Sequence, residues 1–104
     1  MDPELKTRIE STISQSKVVL FMKGSKNFPQ CGFSAQVVSI LRNKGVPFTD
    51  VNILADPELR QGLKEFSNWP TFPQLYVDGK LIGGSDIVSG LEERGELDEV
   101  LGGS

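Results

Sequence analysis

The sequence contains no histidine and only one cysteine, Cys31. Without histidine, the chain cannot form a Ser-His or Cys-His catalytic pair, an HExxH zinc site or a facial-triad iron site. A single cysteine forms no internal disulfide and supplies too few thiolates for a tetrahedral zinc site. Its free thiol suits a reducing compartment. Any chemistry at Cys31 therefore needs partners from outside the chain.

Long apolar runs and clusters of basic residues are also missing. The longest apolar run, Val18 to Met22, has five residues, whereas roughly 20 are needed to cross a bilayer. We therefore expect no contact with a membrane. The 11 basic residues are outnumbered by 14 acidic ones and interleaved with them, so we expect no binding to nucleic acid.

The first residues, "MDPELKTR", have neither the order of a secretory signal nor the acid-poor, Arg/Ser-rich character of a transit peptide. Either the protein acts where it is made, or a targeting segment has been removed. The 104 residues, of which 38% are hydrophobic and 24% charged, are typical of one soluble globular domain. We expect a single domain over residues 1–104.

The spacing of apolar residues and the turn residues predict the element order α, β, α, β, α, β, β, α. The predicted elements are a helix over 3–16 capped by Asp2, a buried strand in 17–24, a helix from Gly32 that stops at Gly45, a strand in 46–53, a helix over 55–68 capped by Asp56, a hairpin over 73–84 that turns at Asp78-Gly79, a helix over 85–95 and a short amphipathic tail over 96–101. A right-handed crossover makes the first two strands parallel. This order predicts an α/β fold with one mixed sheet, a hairpin at its edge and helices on both faces.

Residues 29–34, "PQCGFS", place the cysteine where a loop meets the start of a helix. Unpaired amides and the helix dipole stabilise a thiolate at that position, and Lys23 is a second positive charge nearby. We therefore expect a lowered thiol pKa and a catalytic role for Cys31. The alternative is a buried, inert cysteine, although the flanking Pro29, Gln30 and Gly32 favour an exposed loop.

The segment "WPTFP" places two prolines just before a predicted strand. A cis bond between Phe72 and Pro73 would leave the backbone groups of Thr71 and Phe72 free to bind an extended peptide. The alternative is a simple turn. Sequence alone leaves both open.

The segment "GGSD" at 83–86 ends the hairpin and begins the last helix. Glycines such as Gly84 allow close approach of the backbone, and the amides of Ser85 and Asp86 at a helix start would bind a carboxylate or a phosphate. The alternative is that these residues only cap the helix.

Together, "CGFS", "SNWPTFPQ" and "GGSD", with "DPELRQGLKEFSNWPT" between them, resemble the monothiol glutaredoxins of the CGFS type. The resemblance covers nearly the whole chain and implies a thioredoxin-like fold with a four-stranded mixed sheet. The details are most similar to single-domain members from plastids, mitochondria and bacteria. The resemblance implies the chloroplast stroma as the location of the protein, with the mitochondrial matrix and the bacterial cytoplasm as alternatives.

The resemblance also implies roles for individual residues. Cys31 would be the thiol that faces glutathione and the ligand of iron. The cofactor-binding residues would be Lys23 and Arg60 for the glycine carboxylate, Thr71, Phe72 and Pro73 for the cysteinyl part, and Gly84, Ser85 and Asp86 for the γ-glutamyl end. Many relatives carry cysteine where this chain has Ser85, so a disulfide between that position and Cys31 cannot form here.

A 2Fe-2S cluster needs four ligands, typically thiolates, and one chain supplies only Cys31. A homodimer with two glutathione molecules supplies four. The leading hypothesis is a glutathione-dependent carrier, monomeric without its cluster and dimeric with it, which passes the cluster to apo iron-sulfur proteins.

Two alternatives use the same residues. A weak oxidoreductase would remove glutathione from proteins with one thiol, because Ser34 cannot resolve an intramolecular disulfide. An adaptor would bind a partner, such as the BolA-like proteins that the resemblance implies, without chemistry.

Overall fold

The computed structural model describes residues 1–102; residues 103 and 104, included in the predicted domain, lie outside them. Within the described part, no helix is long and apolar enough to cross a membrane. The elements are α1 (Pro3–Ile13), β1 (Val18–Met22), α2 (Gly32–Asn43), β2 (Thr49–Asn52), a 3₁₀ turn (Ile53–Ala55), α3 (Pro57–Ser67), β3 (Gln74–Val77), β4 (Lys80–Gly83), α4 (Ser85–Glu93) and α5 (Leu97–Val100).

The four strands form one mixed sheet in the order β2-β1-β3-β4. β1 runs parallel to β2 and antiparallel to β3, as predicted from the crossover. β3 and β4 form the predicted hairpin, and both turn residues, Asp78 and Gly79, have positive φ angles. Such angles are required in a type I′ turn, for which Asp-Gly is a preferred pair. The hairpin places β4 at one edge of the sheet.

Alternate residues of the central strand β1 belong to two hydrophobic clusters, one on each face of the sheet. Leu20 packs with residues of α2, α4 and α5, whereas Phe21 packs with residues of α1 and α3. All five residues of β1 are buried, and each large apolar side chain buried in this way contributes roughly 1.5–3 kcal/mol. The helices therefore cover both faces, as predicted.

Several boundaries differ from the predicted ones by one or two residues, and three differences are larger. α1 ends at Ile13 and not at residue 16. The Ser14 N–H donates to the Ser11 carbonyl at the C-cap, and the hydroxyl of Ser16 bonds outside the helix, to Thr49 Oγ1 at 2.8 Å. β2 is only Thr49–Asn52, since the Asn52 side chain accepts the Leu54 N–H and begins the 3₁₀ turn. Residues 96–101, expected as a tail, contain α5 and bury Leu97 and Leu101 in the core.

Candidate active site at the start of α2

Cys31 is the N-cap residue of α2, with extended backbone (φ −149°, ψ 137°) and no capping bond from its side chain. Its thiol is partly exposed. The carbonyl of Cys31 accepts the Ala35 N–H at 2.9 Å, which closes the first turn of the helix. The thiol therefore lies at the positive end of α2, and the buried, inert alternative does not apply.

The surroundings of Cys31 lower the pKa of its thiol. The main cause is the hydrogen bond from the backbone N–H of Ser34, to which the N–H of Phe33 and the charge of Lys23 add, while desolvation acts in the opposite direction. These groups stabilise the charged form over the neutral one. A larger share of the thiol is therefore the nucleophilic thiolate near neutral pH.

Ser34 has a positioning role that sequence reasoning missed. Its side chain is completely buried, and its Oγ accepts the backbone N–H of Lys23 at 3.1 Å. This bond joins the end of β1 to the first turn of α2. The only signal in the sequence is a small polar residue at the N3 position of a helix, which by itself shows only that a second cysteine is absent.

A groove of about 450 Å³ opens beside this helix end. Eight of the nine predicted cofactor-binding residues line it: Lys23, Arg60, Thr71, Phe72, Pro73, Gly84, Ser85 and Asp86. Cys31 itself is not among the lining residues, although Phe33, two positions along the chain, is. Lys23, which lines the groove, acts on the Cys31 thiol through its charge, so the thiol lies close to the groove without lining it.

One wall of the groove is the segment 69–73. The bond between Phe72 and Pro73 is cis, as expected. Gln74, which is completely buried, donates from its amide to the carbonyls of Trp69 and Thr71 at 3.1 and 3.2 Å. Its Oε1 accepts the hydroxyl of Tyr76 at 3.2 Å. Gln74 thus supports this wall, a role that its place in a short apolar strand did not reveal.

The opposite wall is the start of α4. Gly84 is the N-cap residue and makes no side-chain capping bond, while Ser85 and Asp86 are the first helical residues. These two residues therefore follow the N-cap, and their backbone N–H groups belong to the first turn of α4. A Cβ atom on Gly84 would lie 3.2 Å from the carbonyl oxygen of Pro73, so a glycine permits the close approach of the two walls. The first amides of α4 form a site suited to an anion.

Two cations, Lys23 and Arg60, also line the groove. Neither takes part in the ion pairs formed within residues 1–102. The Nε atom of Arg60 and the Nε1 atom of Trp69 are buried and lack a hydrogen-bond partner in the same range. Trp69 is also part of the groove lining. The groove thus offers positive charge to a ligand.

A protein-family model described as glutaredoxin matches residues 18–82. The chain belongs to the glutaredoxin family. An uncharacterized monothiol glutaredoxin from Synechocystis sp. is 55% identical over 97% of this chain and 94% of its own length. The chloroplastic monothiol glutaredoxin-S14 of Arabidopsis thaliana is 58% identical over 95% of this chain, which spans 57% of that longer protein.

The solution structure of reduced apo GrxS14 from poplar has the same fold as this glutaredoxin. The TM-score is 0.83 at 56% identity, and the match covers 94% of this chain and 90% of that chain. The α/β fold is therefore thioredoxin-like, as expected from the resemblance. The monothiol family assignment is confirmed as well.

Cys31 is the only cysteine that this glutaredoxin offers to a metal. Within residues 1–102, no three side chains of the types His, Cys, Asp or Glu come close enough to hold a metal ion. Thiolate ligands for an iron-sulfur cluster would have to come from further molecules.

Proposed function

We propose that this glutaredoxin binds glutathione in the groove and carries a 2Fe-2S cluster, bridged between two subunits, to apo iron-sulfur proteins. The observation that carries the proposal is the position of the Cys31 thiol, at the positive end of α2 and close to the groove. A small thiol bound in the groove would meet Cys31 there. Membership of the monothiol family supports this assignment.

Glutathione matches the groove because it is a short extended peptide with a carboxylate at each end. Lys23 and Arg60 would bind the glycine carboxylate, and the backbone of Thr71 and Phe72, ahead of Pro73, would pair with the cysteinyl part. The γ-glutamyl carboxylate would accept the amides of Ser85 and Asp86 at the start of α4. Gly84 leaves space for that end of the peptide.

The cluster is cargo and requires two copies of the chain. Each copy would provide the Cys31 thiolate and hold one glutathione thiolate beside it, which makes four ligands. The rim of the groove suits contact with a second copy, because Phe33 and Ile87 are 61% and 43% exposed. We infer a monomer without the cluster and a dimer with it. A BolA-like protein is the second partner that we infer for the same surface.

The second candidate function is removal of glutathione from proteins, and the lowered pKa of Cys31 favours it. The thiolate would attack the glutathione sulfur of a mixed disulfide, forming a Cys31-glutathione disulfide and releasing the protein thiolate, which takes up a proton. The thiolate of a second glutathione would then attack that sulfur. Oxidised glutathione leaves and Cys31 is free again.

We infer the chloroplast stroma as the location, because the Arabidopsis relative is named as chloroplastic. The bacterial cytoplasm is the alternative that the Synechocystis relative supports. The mitochondrial matrix is the third possibility.

Anaerobic reconstitution with iron, sulfide and glutathione tests the proposal, read out by visible absorption and by mass in solution. We expect a coloured dimer that forms only with glutathione and is absent in the Cys31→Ser variant. A colourless monomer that still releases glutathione from a mixed disulfide would favour the second function. A Cys31→Ser protein that keeps its cluster would refute both the ligand assignment and the carrier model.

A matched pair of variants tests the groove separately. Lys23→Gln removes a cation from the groove, whereas Lys80→Gln removes one from the exposed start of β4. Loss of one charge-assisted bond costs about 1.5–3 kcal/mol, so we expect glutathione affinity to fall by about 10-fold or more in the first variant only. Equal affinities in calorimetric titrations would contradict the assigned position of glutathione.

A further inference from the structure

A second concavity, of about 330 Å³, is formed by the loop that precedes Cys31 and by α2. It shares no lining residue with the groove. Its walls come from the loop over residues 24–30 and from α2, with Lys26 and Pro29 on one side and Ala35 and Arg42 on the other. Cys31 lies between Pro29 and Ala35 in the chain, so both walls of this concavity are close in sequence to the thiol.

The charge of this region is opposite to that of the chain as a whole. Residues 23–49 contain four basic residues and no acidic one, although the net charge of the chain is −3. Of these four basic residues, Lys44 is paired with acidic side chains, since its Nζ lies 2.7 Å from Glu92 and 3.1 Å from Asp98. The other three, Lys23, Lys26 and Arg42, form none of the ion pairs within the described residues.

Neutral groups hold the two cations that line the concavity. Lys26 Nζ donates to the carbonyl of Phe48 at 3.1 Å and lies 4.9 Å from the centre of its ring. Arg42 donates to Asn27 Oδ1 at 2.7 Å. The nearby carboxylate of Asp50 accepts the backbone N–H of Lys26 at 2.9 Å. Both side chains are thus oriented, and neither is neutralised by an ion pair.

The loop beside the concavity presents an exposed aromatic ring. Phe28 is 74% exposed, yet its backbone is fixed by two hydrogen bonds with Ser25, at 3.0 and 3.3 Å. The N–H of Gly24 donates to Asn52 Oδ1 at 3.0 Å, and that of Gln30 to the carbonyl of Lys23 at 2.8 Å. A preorganised loop with an exposed aromatic side chain has the properties of an interface anchor.

We propose that the 24–30 loop and the adjoining face of α2 bind an acidic segment of a partner protein. Its carboxylates pair with Lys26 and Arg42, and an apolar side chain of the segment packs on Phe28. A short segment fits better than a long polyanion such as nucleic acid, because the acidic residues elsewhere in the chain repel an extended negative charge. The partner is thereby held by the loop that precedes Cys31. This site goes beyond the proposed function, since it needs neither glutathione nor a cluster.

A titration of the ¹⁵N-labelled full chain with a synthetic 12-residue peptide tests the proposal. The peptide contains Glu and Asp around two leucines, and its control has Gln and Asn in their place. We expect shifts of backbone resonances confined to residues 24–30 and α2, only with the acidic peptide. Affinity should fall by about fivefold or more between low salt and 0.3 M salt, because exposed ion pairs are screened.

Charge reversals then separate local from global electrostatics. Lys26→Glu and Arg42→Glu should each weaken binding by about fivefold or more, with folding checked by circular dichroism and with Lys26→Gln as the milder variant. Lys80→Glu changes the net charge equally and should leave affinity within about twofold.

Four outcomes of the titrations would overturn the proposal. These are no shifts at all, shifts at Arg60 and Ser85 in the groove, equal weakening by Lys80→Glu, and shifts of residues 24–30 by a single-stranded oligonucleotide at lower concentration than by the peptide. Self-association that changes the same resonances without peptide would identify a second copy as the occupant and would also refute it.

Discussion

The reactivity of Cys31 comes from its neighbours and not from the side chain itself. The backbone N–H of Ser34 lowers the pKa of the thiol most, and it points toward the thiol because α2 begins at Gly32. The charge of Lys23 adds a smaller part. A residue-scale property, the pKa of one thiol, therefore depends on where one helix starts.

The rate of alkylation by iodoacetamide as a function of pH measures this effect. Because the thiolate is the nucleophile, we expect the midpoint for Cys31 to lie below that of free glutathione. Lys23→Gln should move the midpoint upward by only part of the shift, since the Ser34 amide remains. A wild-type midpoint equal to or above that of glutathione would contradict this prediction.

Gln74 is a second residue on which several contacts depend, because its side chain bonds to Trp69, Thr71 and Tyr76 at once. Gln74→Leu keeps a similar volume and leaves these groups unpaired, so the free energy of unfolding should fall by about 1–3 kcal/mol. The wall over 69–73 should also loosen. Quenching of Trp69 fluorescence by acrylamide should then increase.

Gln61→Leu is the matched control, since Gln61 is exposed on α3. It should change neither the free energy of unfolding nor the quenching. If acrylamide quenches the Trp69 fluorescence of Gln74→Leu no more than that of the wild-type protein, Gln74 does not support the groove wall.

At the scale of elements, the 24–30 loop depends on a glycine at its start. Gly24 has φ +90°, and a Cβ atom there would lie 2.5 Å from the Phe28 carbonyl oxygen and 2.7 Å from the Gln30 nitrogen. Gly45 also has a positive φ, +68°, but a Cβ there would meet no atom within 4 Å. Substitution of the two glycines therefore separates the free-energy cost of a positive φ angle from the cost of a close contact.

Gly45→Ala should lower the free energy of unfolding by about 1–2 kcal/mol, the cost of a left-handed angle for a residue with a Cβ atom. Gly24→Ala should lower it by more, because two backbone segments must also move apart. Denaturation by urea measures both variants. Equal losses would show that the loop accommodates the methyl group.

Asp56 joins two helices on one face of the sheet. Its Oδ1 caps α3 by accepting the Leu59 N–H at 3.1 Å, and its Oδ2 accepts a hydrogen bond from Arg8 on α1. These bonds, that of Arg8 first, lower the pKa of the Asp56 carboxyl. The stability it contributes is therefore present above the ordinary carboxyl pKa and is lost as the pH falls through the lowered one.

Asp56→Ala should lower the free energy of unfolding at neutral pH by about 1 kcal/mol. The difference from the wild-type protein should shrink below about pH 4. Asp56→Asn keeps a capping oxygen and loses only the charge, so it should be less destabilising. A difference that stays constant from pH 7 to pH 2 would rule out the ionised carboxylate as its source.

At the scale of the whole molecule, both hydrophobic clusters share the central strand β1. Neither face can lose its packing without disturbing that strand. The residues that line the groove also come from separate parts of the chain, which include the end of β1, the 69–73 segment and the start of α4. We therefore expect the protein to unfold as one cooperative unit.

Thermal unfolding followed by Trp69 fluorescence and by far-UV circular dichroism should give one coincident transition. Leu20→Ala removes a buried side chain from only one cluster and should cost about 2–5 kcal/mol. It should lower both midpoints together. Separate midpoints for the two probes would refute the single domain.

The sequence by itself determined the elements, the hairpin turn and most of the groove. Apolar spacing, the cap at Asp56 and the Asp78-Gly79 pair are local signals, because each depends on residues a few positions apart. The order of elements and the crossover rule then specified a mixed sheet with helices on both faces. The motifs, together with the resemblance to the monothiol glutaredoxins, added eight residues that line one groove.

Only the tertiary structure decided what lies between those motifs. The bond from Lys23 to Ser34 and the basic concavity of Lys26 and Arg42 join segments that no local pattern connects, and the Gln74 side chain bonds back to Trp69, five positions earlier. A buried serine or glutamine reads as an ordinary polar residue in the sequence, since its partners are chosen by packing. The fold was therefore accessible from short-range signals, whereas the supporting contacts of the site arise only when distant backbone and side-chain groups meet.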